Sequence, residues 1–584
     1  MLFCFAFIFP AWVYSQDDDE APKEVFELSP FNVDESGDMG YTATNTLSGT
    51  RFNSSLRNTS ASVSVWTQEF IDDTGLTEID ELIDYSLNTV LDTDDQDGDG
   101  GNFNTFTNAT AVTQRIRTRG VESSRGIDYF KAITPDDSYK IGRYDDSRGP
   151  NGVLFGVSAA GGIINQTSLV ANTYQDSGRV RYSFGTSSRD RAEFRYNKVI
   201  LEDKLGIVVA GLNQDNSGWR GWVQEDKERI YAAMTWRPTE KITFRVNYED
   251  GFEHRTTVQQ SPITDAGLPW YDYSLVTPLE DITFSPYRGN GQGAQVNNGT
   301  RAVGVTERDG NPRGFSGNGN NRFTFIENDD TFINKAGTFN TGGYNQDRIV
   351  PVDGSPVWPA DSNPNPPRQF RINDQSIIPY HYNPGGPDFY RESDFSSYSA
   401  FADIQLTNDW FLNIQFGHQE VDIDVPQLNG PRPELRFDPN TVENAVDPDA
   451  APNPYVGRPY FDGDYRRDKN ISEYDEIRVS TSYNLDAGKF GNHRIAVAAS
   501  EVDETSRRGN TWLALAGNPD GAGTFTDTYG NRYTQSAYLN ADNRITVRNY
   551  FDWDDRSTWR AGSWKNVPSS VITDRFEGVP TAYD

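Results

Sequence analysis

From Gly178 onward, apolar residues recur at every second position. Val180, Tyr182 and Phe184 alternate with Arg179, Arg181 and Ser183, and Ile242, Phe244, Val246 and Tyr248 alternate with Thr243, Arg245, Asn247 and Glu249. Trp410, Leu412, Ile414 and Phe416 repeat the pattern, as do Ile477, Val479, Thr481 and Tyr483. A period of two is the signature of strands with one apolar and one polar face. It predicts strands at 178–186, 190–200, 204–215, 228–237, 240–250, 394–406, 409–424, 471–484 and 491–502. The second, fourth, sixth and eighth gaps are short: 201–203, 238–239, 407–408 and 485–490. The long gaps are all odd-numbered: 216–227, 251–393, 425–470 and the stretch from 503; only 187–189 is both odd and short. In an up-and-down meander, odd and even connections lie at opposite ends, so the insertions fall on one side. Outer-membrane barrels have short turns on one side and long loops on the other. A ten-residue strand tilted by about 45° rises roughly 24 Å, close to their apolar band.

The pattern before residue 170 is different. Ala61 to Trp66 alternates as a strand, and Thr67 then caps a helix through Gln68, Glu69, Phe70 and Ile71 that Gly75 ends. A second helix is predicted from Thr77 to Leu87, with Ile79, Leu82, Ile83 and Leu87 on one stripe. Strand, helix, helix, loop, strand describes a small α+β unit over 41–168. Ahead of it, Leu2 to Val13 is an apolar run too short to span a membrane, followed by Ser15 and the acidic Asp17-Asp18-Asp19-Glu20. That reads as a signal peptide over 1–15, without the usual basic start. Residues 16–40 are acidic and aperiodic, an exported tether in which Val25-Phe26-Glu27-Leu28-Ser29-Pro30-Phe31 alternates apolar and polar residues.

Composition narrows the class. The 584 residues are 35 % hydrophobic with a mean hydropathy of −0.70, yet 13 % aromatic, which argues against disorder and suits apolar residues spread two apart. A net charge of −32 excludes nucleic acid as a partner. The single cysteine, Cys4, lies in the signal segment, so the mature chain has neither disulfide nor thiol chemistry.

Two motifs remain. Ile116-Arg117-Thr118-Arg119-Gly120-Val121 is followed by Arg148-Gly149-Pro150, then Phe155-Gly156, then Gly161-Gly162-Ile163-Ile164-Asn165. In this order they resemble the plug of the TonB-dependent outer-membrane receptors, with Thr118-Arg119 lengthening the first motif. The resemblance implies an α+β plug followed by an antiparallel transmembrane β-barrel. It makes Arg119, Gly120, Arg148, Gly149, Pro150, Phe155, Gly156, Gly161, Gly162, Ile163 and Asn165 the plug-motif residues. It also places Val25, Phe26, Glu27, Leu28, Ser29, Pro30 and Phe31 where the family's TonB box lies. An extended segment can add to a partner's sheet edge through main-chain hydrogen bonds. With nine strands read against the family's 22, the barrel over 178–584 is expected to be incomplete and the chain to be part of a longer receptor.

Other candidate chemistry is thin. Asp95, Asp97, Asp99 and Gly100 match the first half of an EF-hand loop, but Phe106 stands where the bidentate Glu belongs, so a solvated acidic turn is preferred and no metal is assigned. The glycines of 149–162 precede no Gly-Lys-Ser/Thr, which excludes a nucleotide cradle. His254, His381, His418 and His493 show no ligand spacing, and no nucleophile elbow is present. No cofactor is assigned, and no enzyme activity. Trp270, Tyr271 and Tyr273 in the longest insertion supply stacking surfaces for a ligand, or pack loops together.

The resemblance therefore implies uptake of a scarce ligand (siderophore, cobalamin or oligosaccharide) across the outer membrane. The ligand would bind at the outer loops and plug apex, and TonB with its inner-membrane energising complex would displace the plug. The partners would be TonB, outer-membrane lipid and a small ligand. The rivals are a non-transporting surface-binding barrel and a secreted β-rich enzyme acting on polysaccharide.

Overall fold

The computed structural model describes residues 38–92, 115–149, 159–256, 378–429 and 458–512 apart from short breaks, with short strands and turns elsewhere. The first sheet has seven strands, six of them on its main path: β1 (Ser62–Thr67), β2 (Thr89–Asp92), β3 (Arg115–Thr118), β4 (Val121–Ile127), β5 (Ile141–Arg148) and β6 (Gly162–Ser168); the two-residue strand Phe130–Lys131 pairs with the end of β4. The order along the main path is β1-β5-β6-β4-β3-β2, antiparallel except for the parallel β4–β6 pair. Helix α1 (Gln68–Thr74) starts where Thr67 Oγ1 accepts from the Phe70 amide at 3.3 Å, and stops at Gly75, whose φ of 72° is a left-handed cap. Trp66, Ile71, Ile79, Leu82, Ile83, Ile116, Ile141, Tyr144 and Ile164 form the core between sheet and helices.

The second helix is shorter than the sequence predicts. α2 covers Ile79–Leu82 and tightens into a 3₁₀ turn at Ile83–Tyr85. Ile79, Leu82 and Ile83 are buried as expected, but Leu87 is 66 % exposed. The chain turns at Asn88, which has a left-handed φ of 58°, to enter β2, so Leu87 never joins the stripe.

The second sheet contains a nine-stranded antiparallel meander: β7 (Ser177–Gly185), β8 (Arg189–Leu201), β9 (Leu205–Asn216), β10 (Glu225–Thr239), β11 (Ile242–Thr256), β12 (Tyr390–Gln405), β13 (Trp410–Asn429), β14 (Pro459–Asp486) and β15 (Asn492–Trp512). Each pairs with the next in the chain. The parity of the gaps holds, with the longest insertion trimmed to 257–389 because β11 and β12 both extend past their predicted ends. The largest departure is β14, 28 residues long against 14 expected from the 471–484 pattern. About ten residues cross the apolar band. The rest of β14 stands beyond it, where Tyr460 pairs with Arg436 and with Tyr550.

This sheet is apolar outside and polar inside. Val180, Phe184, Ile230, Val246, Tyr248, Ile414 and Val479 are exposed on one face, while Arg191, Gln214, Lys227, Arg229, Glu249, Glu253 and Arg478 are buried on the other. Near the short turns Trp236 stacks on Phe244 at 5.5 Å, and Trp410 lies opposite Tyr483, an aromatic rim of the kind found at a membrane interface. No described helix is long and apolar enough to cross a membrane. The parity gives a direct expectation: in intact cells the 257–389 insertion is cut by externally added protease. Cleavage only from the periplasmic side would invert the sheet.

Candidate functional site: the plug and its seat in the barrel

The glycine motif is built by close backbone approach. Arg119 (φ 55°) and Gly120 (φ 79°) form the two-residue turn between β3 and β4, so the Ile116–Val121 motif is a hairpin. A Cβ on Gly161 would lie 2.5 Å from the Val121 carbonyl oxygen, and one on Gly162 (φ 126°) 2.1 Å from that of Ser147, so neither position accepts a side chain. The Gly149 amide donates to the Gly161 carbonyl at 2.8 Å, and the Gly161 amide to that of Glu122 at 2.9 Å, which closes the two ends of the motif onto each other. Ile163 and Asn165 are buried, and Asn165 Oδ1 accepts from the Tyr129 amide at 2.7 Å. Arg148 bonds Ser64 Oγ and pairs with Asp146 at 3.5 Å. Pro150, Phe155 and Gly156 lie outside the described residues. So do the TonB-box segment Val25–Phe31, the acidic loop with Asp95, Asp97 and Asp99, and Trp270, Tyr271 and Tyr273.

The structure adds a constellation not singled out in the sequence. The segment 129–140, between β4 and β5, reaches the inner wall of the meander. Asp137 receives both terminal nitrogens of Arg191, at 2.6 and 3.0 Å, and Lys227 Nζ at 3.4 Å. Lys227 also pairs with Glu78 at the start of α2. Lys140 pairs with Glu249, which also accepts from Tyr139 Oη at 2.9 Å. Arg229 donates to the Pro135 carbonyl at 3.0 Å and to Glu253 at 2.9 Å, and Arg391 approaches the same Glu253 at 2.7 Å. Further round the wall, Gln419 accepts from the Ile133 amide at 2.9 Å and donates to the Lys131 carbonyl at 2.6 Å. Phe130 packs on Gly417, where a Cβ would meet its ring at 3.0 Å, and lies under the Arg478 guanidinium at 5.1 Å.

These contacts are almost wholly buried: the Asp137, Lys227 and Glu249 side chains are 0 to 1 % exposed. Burial pushes the Asp137 carboxyl up, but Arg191 and Lys227 outweigh it and hold the group well below the usual carboxylate range. At Glu78 burial again raises the carboxyl, and Lys227 and Arg255 more than reverse the effect. At Asp136 burial wins and lifts the carboxyl to about 6, although Arg125 lies 2.9 Å away, because Asp80 and Glu78 add negative charge nearby. Adjacent carboxylates thus have opposite tendencies, with Asp137 turned to the barrel and Asp136 to the plug interior.

A small α+β unit seated by buried charge pairs against the polar face of an antiparallel, outside-apolar sheet defines a plug-and-barrel protein of the outer membrane. That is the fold of the TonB-dependent receptors, and the outer membrane is the location of this chain. The chain matches the ferrioxamine receptor of Yersinia enterocolitica at 24 % identity over 216 residues, 35 % of this chain and 28 % of the relative. It matches the ferrichrome outer membrane transporter/phage receptor of Escherichia coli K12 at 29 % over 109 residues, 18 % and 14 % of the two chains. The chain therefore spans less than a third of either relative. Among solved structures, FpvA of Pseudomonas aeruginosa bound to heterologous pyoverdines aligns with a TM-score of 0.52 at 12 % identity, over 85 % of this chain and 48 % of that one. The FpvAI–pyocin S2 complex aligns at 0.50 and 12 %, over 81 % and 46 %. No protein-family profile matches.

Proposed function

We propose that the protein is a TonB-dependent receptor importing an iron–siderophore complex, not an enzyme and not a passive surface binder. The observation that carries this reading is the seat of the plug. Segment 129–140 is tied to the inner wall by ion pairs at Asp137 and Lys140, so passage through the lumen requires that these pairs be broken. Energy must then come from outside the molecule, which is the role of TonB and the inner-membrane complex pulling on the segment at residues 25–31. Breaking a buried pair costs about 3–5 kcal/mol, enough to keep the plug seated without a pull and small enough for one to displace it. The names of the matched relatives, ferrioxamine and ferrichrome receptors, select siderophores among the scarce ligands considered.

The test is uptake of radioiron presented as ferrioxamine and as ferrichrome to iron-starved cells carrying the receptor. Accumulation is expected only where TonB is functional. Equal uptake without TonB would remove energy coupling. Ligand binding without accumulation in TonB-competent cells would make the protein a surface binder.

A further inference from the structure

We propose that His418, Glu473 and Asp475 form a binding site for a divalent transition-metal ion of the zinc class, on the lipid-facing side of the meander. His418 of β13 lies directly opposite Asp475 of β14, and Glu473 follows two residues away on the same face. Each offers one ligand atom, and these atoms all lie within 4.8 Å of one another. Bonds of about 2.1 Å at tetrahedral angles need separations of about 3.4 Å, so the 2.8 Å His418–Asp475 contact widens while the longer separations, up to 4.8 Å, close. One imidazole nitrogen and two carboxylate oxygens are a donor set for zinc and its neighbours, with a further position open to solvent or a headgroup.

Two further observations support the assignment. The ring of His418 is already held in place: it stacks on Tyr398 at 4.6 Å and 28°, and its Nδ1 lies 2.8 Å from Asp475 Oδ1, a contact a cation would take over. The surroundings also repel one another without a cation. Glu473 faces Glu420 directly across the β13–β14 pair, and Asp475 faces Asp503 across β14–β15. Like charges directly opposite destabilise a ladder. A bound cation relieves both repulsions at once, at the level where the apolar band ends at Ile477 and Val479 and the acidic positions begin. His254 makes a useful contrast: it lies 3.3 Å from Glu392 on the same outward face, but among the described residues no third donor comes within the same distance of both.

The experiment is zinc titration of the purified receptor in detergent by calorimetry, with millimolar magnesium present, followed by cobalt substitution read in the visible d–d region. Wild type is expected to bind zinc in the presence of magnesium and to give a low-symmetry cobalt spectrum. His418→Ala and, separately, Asp475→Asn should each weaken zinc by at least ten-fold, while His254→Ala should not. Heat-dependent gel mobility checks that each variant barrel is folded. Should one variant fail to fold, the other decides. Loss of zinc to magnesium in the wild type, or unchanged zinc binding by a folded His418→Ala or Asp475→Asn, would overturn the site and leave a hydrated acidic rim. Either outcome is independent of siderophore uptake.

Discussion

Asp137→Ala is expected to loosen the plug and make cells sensitive to a large hydrophilic antibiotic such as vancomycin. The substitution leaves Arg191 and Lys227 buried against the plug with their shared counter-charge removed. Removing one partner of a buried pair costs about 3–5 kcal/mol, an upper bound here because Lys227 keeps Glu78 and Arg191 keeps Glu193, so the fraction of receptors with an unseated plug rises by up to about two to three and a half orders of magnitude. The effect should be read both as antibiotic sensitivity and as protease access to the 129–140 segment from outside. Arg191→Met combined with Asp137→Leu should recover part of the seal, because apolar groups of similar size restore packing while Lys227 keeps its pairs with Glu78 and Glu225. Sensitivity and protease access equal to wild type in Asp137→Ala would show that the seat rests elsewhere, on Glu249 with Lys140 or on Gln419.

That seat was the least legible part of the sequence. Asp136 and Asp137 are two among 85 acidic residues, and the partners Arg191 and Lys227 lie 54 and 90 residues downstream. No local pattern joins them. A signal did exist on the barrel side. In β10, Lys227 and Arg229 occupy the same face as Tyr231, Ala233 and Thr235, with Ile230, Met234 and Trp236 on the other. Charges that recur on the inward face of a strand mark a wall that must be covered by something equally charged. The strands themselves were readable because lipid on one side and plug on the other enforce a strict contrast at every second residue. The same reason explains why the outer half of β14 was missed: beyond the membrane both faces of the strand are polar, and the contrast vanishes. The glycine motif was readable because Gly161 and Gly162 are fixed by backbone crowding, a local requirement, whereas α2 was overdrawn because its stripe at Ile79, Leu82 and Ile83 continues in sequence past the point where Asn88 turns the chain.

Leu28→Pro is expected to reduce siderophore uptake to the level of cells without TonB, while leaving ligand binding and membrane insertion unchanged. Val25-Phe26-Glu27-Leu28-Ser29-Pro30-Phe31 alternates apolar and polar residues and lies between the apolar run Leu2–Val13 and the first described residue, Asp38. A segment of this kind couples by adding a strand to the edge of a partner's sheet, and the main-chain donors supply much of the affinity. Proline removes the donor at its own position and fixes φ, so it harms pairing more than loss of a side chain does. Leu28→Ala should therefore retain a substantial part of the uptake that Leu28→Pro loses. Residue 28 precedes both the plug seat at Asp137 and the barrel strands in sequence, and binding measured at low temperature should be the same in all three proteins. Normal uptake by Leu28→Pro would place the coupling segment elsewhere in the chain, or would remove TonB from the mechanism.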